Sequence, residues 1–220
     1  MNNRSNGGRA SRKINFDQKF FNNRTPITAY WSGFLLADGC LEDKIYKNRR
    51  YNRLSMSLAE MDKTHLEIFC DHIQYNKSHL YKENKKVGQN KYIVSLYCNG
   101  ISESLKYWGI VPRKTYNFEL PEVNGELLPD FLRGWFDGDG NLNCKNCPRF
   151  RITGNKEALQ WYANSLVRLG FNEKISFELP KNKIWGRLYI DGKDKVRQIL
   201  KLINAANDLK LHRKYAVELI

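Results

Sequence analysis

Trp31-Ser-Gly-Phe-Leu-Leu-Ala-Asp-Gly39 and Leu132-Arg-Gly-Trp-Phe-Asp-Gly-Asp-Gly140 are the two stretches on which the reading of this chain turns. Each is an apolar run closed by Asp-Gly. Trp31, Phe34, Leu35 and Leu36 make the first nearly apolar on all sides, and Phe131, Leu132, Trp135 and Phe136 do the same for the second. A helix without a polar face belongs in a core. Gly33-x-x-x-Ala37 and Gly134-x-x-x-Gly138 place small residues one turn apart, a spacing that lets two helix backbones approach closely. The two helices are therefore expected to pack against each other, with Gly39 and Gly140 closing them as left-handed caps. Asp38 and Asp139 would stand in the last turns, facing the negative end of each helix dipole at a cost of about 0.3–1 kcal/mol each. Pairing the helices would bring these carboxylates together and raise the energy further. An arrangement that opposes folding and occurs twice calls for a compensating cation, and hard, oxygen-seeking Mg2+ suits it. One Asp-Gly would read as a plain turn. Its recurrence after a second glycine-containing apolar helix argues otherwise.

The repetition continues outward from these runs. Lys63-x-x-Leu66 matches Lys156-x-x-Leu159, and Pro112-Arg-Lys114 matches His212-Arg-Lys214, in the same order along the chain. Two copies do not make a solenoid; they predict two similar lobes about a pseudo-twofold axis. Each lobe reads as helix, two strands, helix, two strands, helix, an α+β fold with antiparallel sheets, packed through the two Asp-Gly helices. In the first lobe Arg53, Ser55 and Ser57 alternate with Leu54, Met56 and Leu58, the period of a half-buried strand. The basic run from Lys44 to Arg53 forms the end of a long hairpin. Residues 62–75 form an amphipathic helix, 79–83 and 91–98 a hairpin, and 101–108 a helix ending at Gly109. In the second lobe Arg149, Arg151 and Thr153 alternate with Phe150 and Ile152. A helix over 156–169 stops at Gly170, strands follow near 174–179 and 184–190, and a last helix covers 193–204. The division expected is a basic arm over 1–24, a first lobe over 25–122 and a second over 123–220.

Composition narrows the partner. The chain has 220 residues and a formal charge of +14, an excess that points to a polyanion. It contains no apolar run of about 18 residues, so no helix is expected to span a bilayer, and the basic N-terminus lacks the apolar core of a secretory signal. Nucleic acid fits better than a membrane surface. Five scattered cysteines suit a reducing compartment. Cys144-x-x-Cys147 lacks the second pair of ligands that a zinc site requires. Frequent Asn, Lys and Tyr hint at an AT-rich coding sequence, hence an intracellular setting in an organelle, a phage-infected cell or a bacterium.

The doubled motif closely resembles the LAGLIDADG motif of homing endonucleases, and the lobe pattern with its Pro-Arg-Lys stretch is similar to that family from about residue 27 onward. The resemblance implies a single-chain, monomeric enzyme with the motif helices at the lobe interface and two sheets forming a saddle over double-stranded DNA. It implies that Asp38 and Asp139, with the backbone at Gly39 and Gly140, hold catalytic Mg2+, for which Mn2+ or Ca2+ can substitute in the site. It further implies cleavage of a long, asymmetric target across the minor groove, leaving short 3′ overhangs. Lys114 and Lys214, recurring in both lobes, are the candidates for offsetting charge at the scissile phosphates, with phosphate anchoring as their alternative role. Leu36 stands where the second motif has Asp137, a position outside the metal pair. Glu60 and Asn155 occupy places where some relatives carry a basic residue.

A two-stranded ribbon fits the major groove of DNA. The candidates to line it are Lys47, Arg49, Arg50, Arg53, Lys82, Lys85, Lys86, Lys91 and Arg113 in the first lobe. In the second they are Arg149, Arg151, Lys181, Lys183, Arg187 and Arg213. Half or more of such residues touch phosphate rather than bases. The competing readings are an RNA maturase or non-cutting DNA-binding protein of the same fold, and an unrelated basic α+β protein in which the two motif helices would not meet.

Overall fold

The computed structural model describes residues 16–46, 49–97, 101–123, 125–143, 147–204 and 208–215, apart from the side chains of Lys44, Tyr46, Arg49 and Arg50. The first lobe comprises α1 (Pro26–Asp38), β1 (Gly39–Tyr46), β2 (Arg49–Ala59), α2 (Lys63–His72), β3 (Tyr81–Glu83), β4 (Lys91–Tyr97) and α3 (Ile101–Lys106). The second repeats the order as α4 (Leu128–Asp139), β5 (Gly140–Asn143), β6 (Arg149–Asn155), α5 (Lys156–Arg168), β7 (Ser176–Glu178), β8 (Trp185–Asp191) and α6 (Lys193–Leu202). Each lobe holds a four-stranded antiparallel sheet, ordered β1-β2-β4-β3 in one and β5-β6-β8-β7 in the other. The expected two-lobed αββαββα architecture is the one observed.

The strands form as their alternation predicts. Leu54, Met56 and Leu58 on β2 are buried against α1 and α2, while Arg53, Ser55 and Ser57 remain half-exposed on the opposite face. On β6, Phe150 and Ile152 are fully buried and Arg149, Arg151 and Thr153 point the other way. The weakest match is β7, where Phe177 and Leu179 are 37% and 43% exposed, because this short edge strand extends past the helices that would cover it. Gly109 and Gly170 adopt positive φ (74° and 94°), the left-handed stops expected after α3 and α5.

The most extensive contact between any two elements is α1 against α4. A Cβ on Gly33 would stand 2.0 Å from the Phe131 carbonyl oxygen, and one on Gly134 would stand 1.9 Å from that of Tyr30. The two backbones therefore touch at equivalent points of the repeat. One turn further on, Gly138 faces Ala37. The small residues act as the spacing suggests.

Two expectations need correction. Gly39 and Gly140 are not left-handed caps; both are extended (φ −78°, ψ 153° and φ −85°, ψ 158°) and begin β1 and β5. Glycine is required there for space, since a Cβ would fall 2.5 Å from Leu35 O or 2.3 Å from Phe136 O. Nor is α4 apolar all round: Asp130, Arg133 and Asp137 are all buried on it. Arg133 and Asp130 neutralise each other through a 2.8 Å ion pair, and a buried charge survives only when paired in this way.

Part of the stretch assigned to the basic arm belongs to the first lobe. Phe16, Phe20 and Phe21 are buried, the Trp108 indole donates to Phe21 O (3.1 Å), and Arg24 lies 3.7 Å over the Tyr107 ring. Residues 1–15, Lys47 and Cys144 lie outside the described residues.

Candidate active site at the helix seam

Asp38 and Asp139 are the last residues of α1 and α4, and both helices run directly into a strand. Asp38 is exposed and Asp139 half-buried, so the carboxylates are ringed by packed helix ends yet open on one side to solvent. Burial, and after it the charge on Asp38, pushes the Asp139 carboxyl up to about 7, against the opposing pull of Lys114 and Lys214. The packed helix ends around it also desolvate Asp38 and raise it, although part of its side chain meets solvent; Lys214, Lys114, Lys91 and Arg213 pull it back. The like-charge repulsion anticipated from the motif is present.

Both repeated lysines reach this seam. The Lys114 ammonium donates to the Gly39 carbonyl. Lys214 Nζ donates to the carbonyls of Gly140 (2.7 Å), Gly138 (2.9 Å) and Phe136 (3.1 Å). The carbonyls that end a helix carry its negative pole, so cations gather there. Burial lowers both lysines, and the acid that most strongly sustains the charge on Lys114 is Asp139 from the other lobe. Correspondingly, Lys214 is the strongest cation acting on Asp38. A cavity of about 220 Å³ joins Lys114 and Thr115 of the first lobe to Asp139, Thr153, Asn155 and Trp185 of the second. Both lysines thus act on both acids across the pseudo-twofold, and Lys214 feels Asp137 of its own lobe ahead of either.

The donor set suits a hard divalent ion. It offers two carboxylates held together against their mutual repulsion, plus helix-end carbonyls that already attract cations. Among the described residues no group of three or more His, Cys, Asp or Glu side chains is placed to enclose a metal. An ion here would keep several waters or take phosphate oxygens, which is the habit of Mg2+.

The candidate DNA-contacting residues separate into several groups. Strand pairing puts Glu42, Arg53 and Tyr97 across one row of the outer face of the first sheet, and Asn143, Arg149 and Asp191 across a row of the second. Arg53 is forked onto Glu42 (3.0 and 2.5 Å), Arg149 onto Asp191, and Arg187 lies 3.2 Å from Glu178. Arg151 shares the face of Arg149. Lys91 ends the outer face of β4 and acts on Asp38. Lys82 pairs with Glu60 (2.5 Å), while exposed Lys85 and Lys86 lie in the β3–β4 loop. Lys181 and Lys183 occupy the β7–β8 turn, Lys183 lying 4.5 Å over Trp185. The backbones of Arg49 and Arg50 open β2 at the hairpin end. Arg113 is exposed with φ 58° in the turn before Lys114. Arg213 is placed differently from the rest: it is forked onto buried Asp62 of the first lobe at 2.7 and 2.8 Å. Asn155 caps α5 through the Ala158 amide (2.8 Å).

Sequence reasoning missed a buried network beside the seam. Tyr30 OH donates to Asp137 Oδ2 (2.6 Å), the Leu211 amide donates to the same oxygen (2.7 Å), and His65 Nε2 is 2.9 Å from Tyr30 OH. Its one visible signal was the acid at position 137, where the first motif has Leu36.

No family model matches the chain. An alignment 163 residues long that covers 70% of the chain is 26% identical to the probable translation initiation factor IF-2 of Methanocaldococcus jannaschii. The chain spans only 12% of that protein's length. Among solved structures, a mesophilic variant of the homing endonuclease I-DmoI superposes with a TM-score of 0.54 at 19% identity, covering 84% of this chain and 98% of that one. I-DmoI in complex with DNA and Mn gives 0.53 at 18% identity, over 83% and 98%. The meganuclease I-SmaMI bound to uncleaveable DNA gives 0.52 at 12% identity, over 84% and 86%. The chain has the two-lobed fold of homing endonucleases.

Proposed function

We propose that this protein is a homing endonuclease of the LAGLIDADG type, cutting both strands of a specific DNA site with divalent metal. The observation that carries the reading is the seam itself, where Asp38, Asp139, Lys114 and Lys214 converge about the pseudo-twofold. The structures of I-DmoI with DNA and Mn, and of I-SmaMI bound to uncleaved DNA with calcium ions, support a DNA partner and a divalent metal; Mg2+ is the ion we assign.

Asp38 and Asp139 would hold the metal; the Gly39 and Gly140 carbonyls, which accept from Lys114 and Lys214, would join them only where an ammonium yields its place. When bound, the metal polarises scissile phosphates and helps to ionise an attacking water. The chain's own contribution is positional. Close packing of α1 on α4 holds two acids that would otherwise separate. Lys114 and Lys214 keep an ammonium beside them, where it can offset charge developing on a cleaved phosphate. The outer sheet faces present arginines, tyrosines and hydroxyls to the DNA grooves.

In this reading the two lobes, the first including Phe16–Arg24, form one monomer. Its unequal lobes read a long asymmetric target, cleavage leaves short 3′ overhangs, and the setting is intracellular. The test is incubation with a randomised DNA target library and Mg2+. Linear products that disappear for Asp38→Asn and Asp139→Asn support the proposal. Tight RNA binding without DNA cleavage would replace it with the maturase reading.

A further inference from the structure

The network around Asp137 has no place in the chemistry above, and it occurs in one lobe only. Asp137 is 1% exposed. A carboxylate so buried is tolerated only when its partners are fixed. Two of those partners come from opposite directions. Tyr30 belongs to α1 and is itself bonded to His65 of α2, so one arm of the network is rooted in the first lobe. The other arm is the amide of Leu211, which opens the tight turn His212–Lys214 at the end of the chain. That turn is tied to the first lobe a second time through the fork of Arg213 on Asp62, and its last residue is Lys214.

The first lobe builds its matching turn by other means. Leu36 stands where Asp137 would be, and Val111 where Leu211 would be, so the acceptor that Asp137 supplies has no counterpart at that position. The turn carrying Lys114 is shaped instead by Arg113, with φ 58° and its carbonyl accepting from Tyr116 and Asn117 (2.8 and 3.0 Å).

We infer that Asp137 is a positioning residue for Lys214: by receiving the Tyr30 hydroxyl and the Leu211 amide on one oxygen, it locks the C-terminal turn against the first lobe. One half of the seam thus depends on a latch that the other half lacks. Removing it impairs one strand's cleavage and spares the other. This rests on the endonuclease reading for its consequence, though not for its geometry.

The experiment follows each strand separately on a supercoiled plasmid carrying a selected target, for wild type, Asp137→Leu, Asp137→Asn, Lys214→Met and Lys114→Met. Asp137→Leu is expected to slow one strand relative to the other on the order of tenfold, the effect of losing a hydrogen bond to a charged group. Nicked circles then accumulate. The slowed strand is the one that Lys214→Met slows, and Lys114→Met slows the opposite strand. Asp137→Asn keeps an acceptor for the Leu211 amide and restores most of the balance. Should Asp137→Leu fail to fold, Tyr30→Phe cuts the first-lobe arm alone and is expected to give the same bias, weaker. Equal slowing of both strands, or the bias of Lys114→Met, overturns the inference. Amide exchange at Leu211 in the free protein is read in parallel, with faster exchange expected in Asp137→Leu and wild-type protection in Asp137→Asn. If the wild type cuts no DNA, the endonuclease reading fails and Leu211 exchange alone decides the latch.

Discussion

Asp139 carries the clearest conflict between folding and function. Its pKa of about 7 in the folded chain lies above the ordinary carboxylate value, so the folded state binds the proton more tightly than the unfolded one. Stability linked to this group is present at low pH and is lost as pH rises from about 4 through about 7. Asp139→Asn should therefore raise the melting temperature of the metal-free protein at pH 8 and, on the endonuclease reading, abolish cleavage; an unchanged or lower melting temperature would mean that neither burial nor the Asp38 charge penalises the ionised carboxyl. His65 gives the opposite profile. Burial lowers it to about 4, so the unfolded state takes up protons first as pH falls. Stability should drop between pH 6.5 and 4, by about 1.4 kcal/mol for each tenfold change in proton affinity. His65→Gln should flatten that part of a urea-midpoint profile. Of these groups the sequence displayed Asp139 openly, through the repeat. His65 and Asp62 were invisible, because nothing local distinguishes a buried histidine or aspartate on an amphipathic helix from an exposed one.

The helix pair is the element on which the site depends. Gly33 and Gly134 let α1 and α4 meet backbone to backbone, and no side chain fits between them. Gly33→Val or Gly134→Val should cost about 3 kcal/mol or more, as overpacking that only backbone movement can relieve. Urea unfolding measures the loss. Cleavage should fall further than stability does, since separating the helices also separates the acids. This contact was legible in the sequence from small residues one turn apart. The strands were legible from their period of two, except β7, whose apolar residues face too little cover to be buried. The backbone at Gly39 and Gly140 was misread: Asp-Gly after a helix suggested a left-handed cap, while the chain continues straight into a strand and needs glycine for lack of room.

At the scale of the whole molecule, the endonuclease reading makes the net charge of +14 the term that would govern how DNA is approached. Arg53, Arg149 and Arg187 rest on acids of their own sheets, in partly exposed pairs that solvent screens, so phosphate can compete for them. DNA affinity should fall steeply with salt, with a slope of about −5 in log affinity against log salt, as counterions are released. A slope near zero in a filter-binding series would rule out a phosphate-contacting saddle. The sequence by itself determined the duplicated αββαββα order, the faces of most strands and the meeting of two Asp-Gly helices, and it nominated Asp38, Asp139, Lys114 and Lys214 as candidates for the site. Helical and strand periods and the spacing of small residues are local, so the chain states them directly. Only the tertiary structure decided that both lysines come to act on both acids, that Arg213 turns inward to Asp62, and that Asp137 joins Tyr30 to the C-terminal turn. Those partners lie far apart in the chain, and the rotation of one lobe against the other selects them through packing that no local pattern encodes.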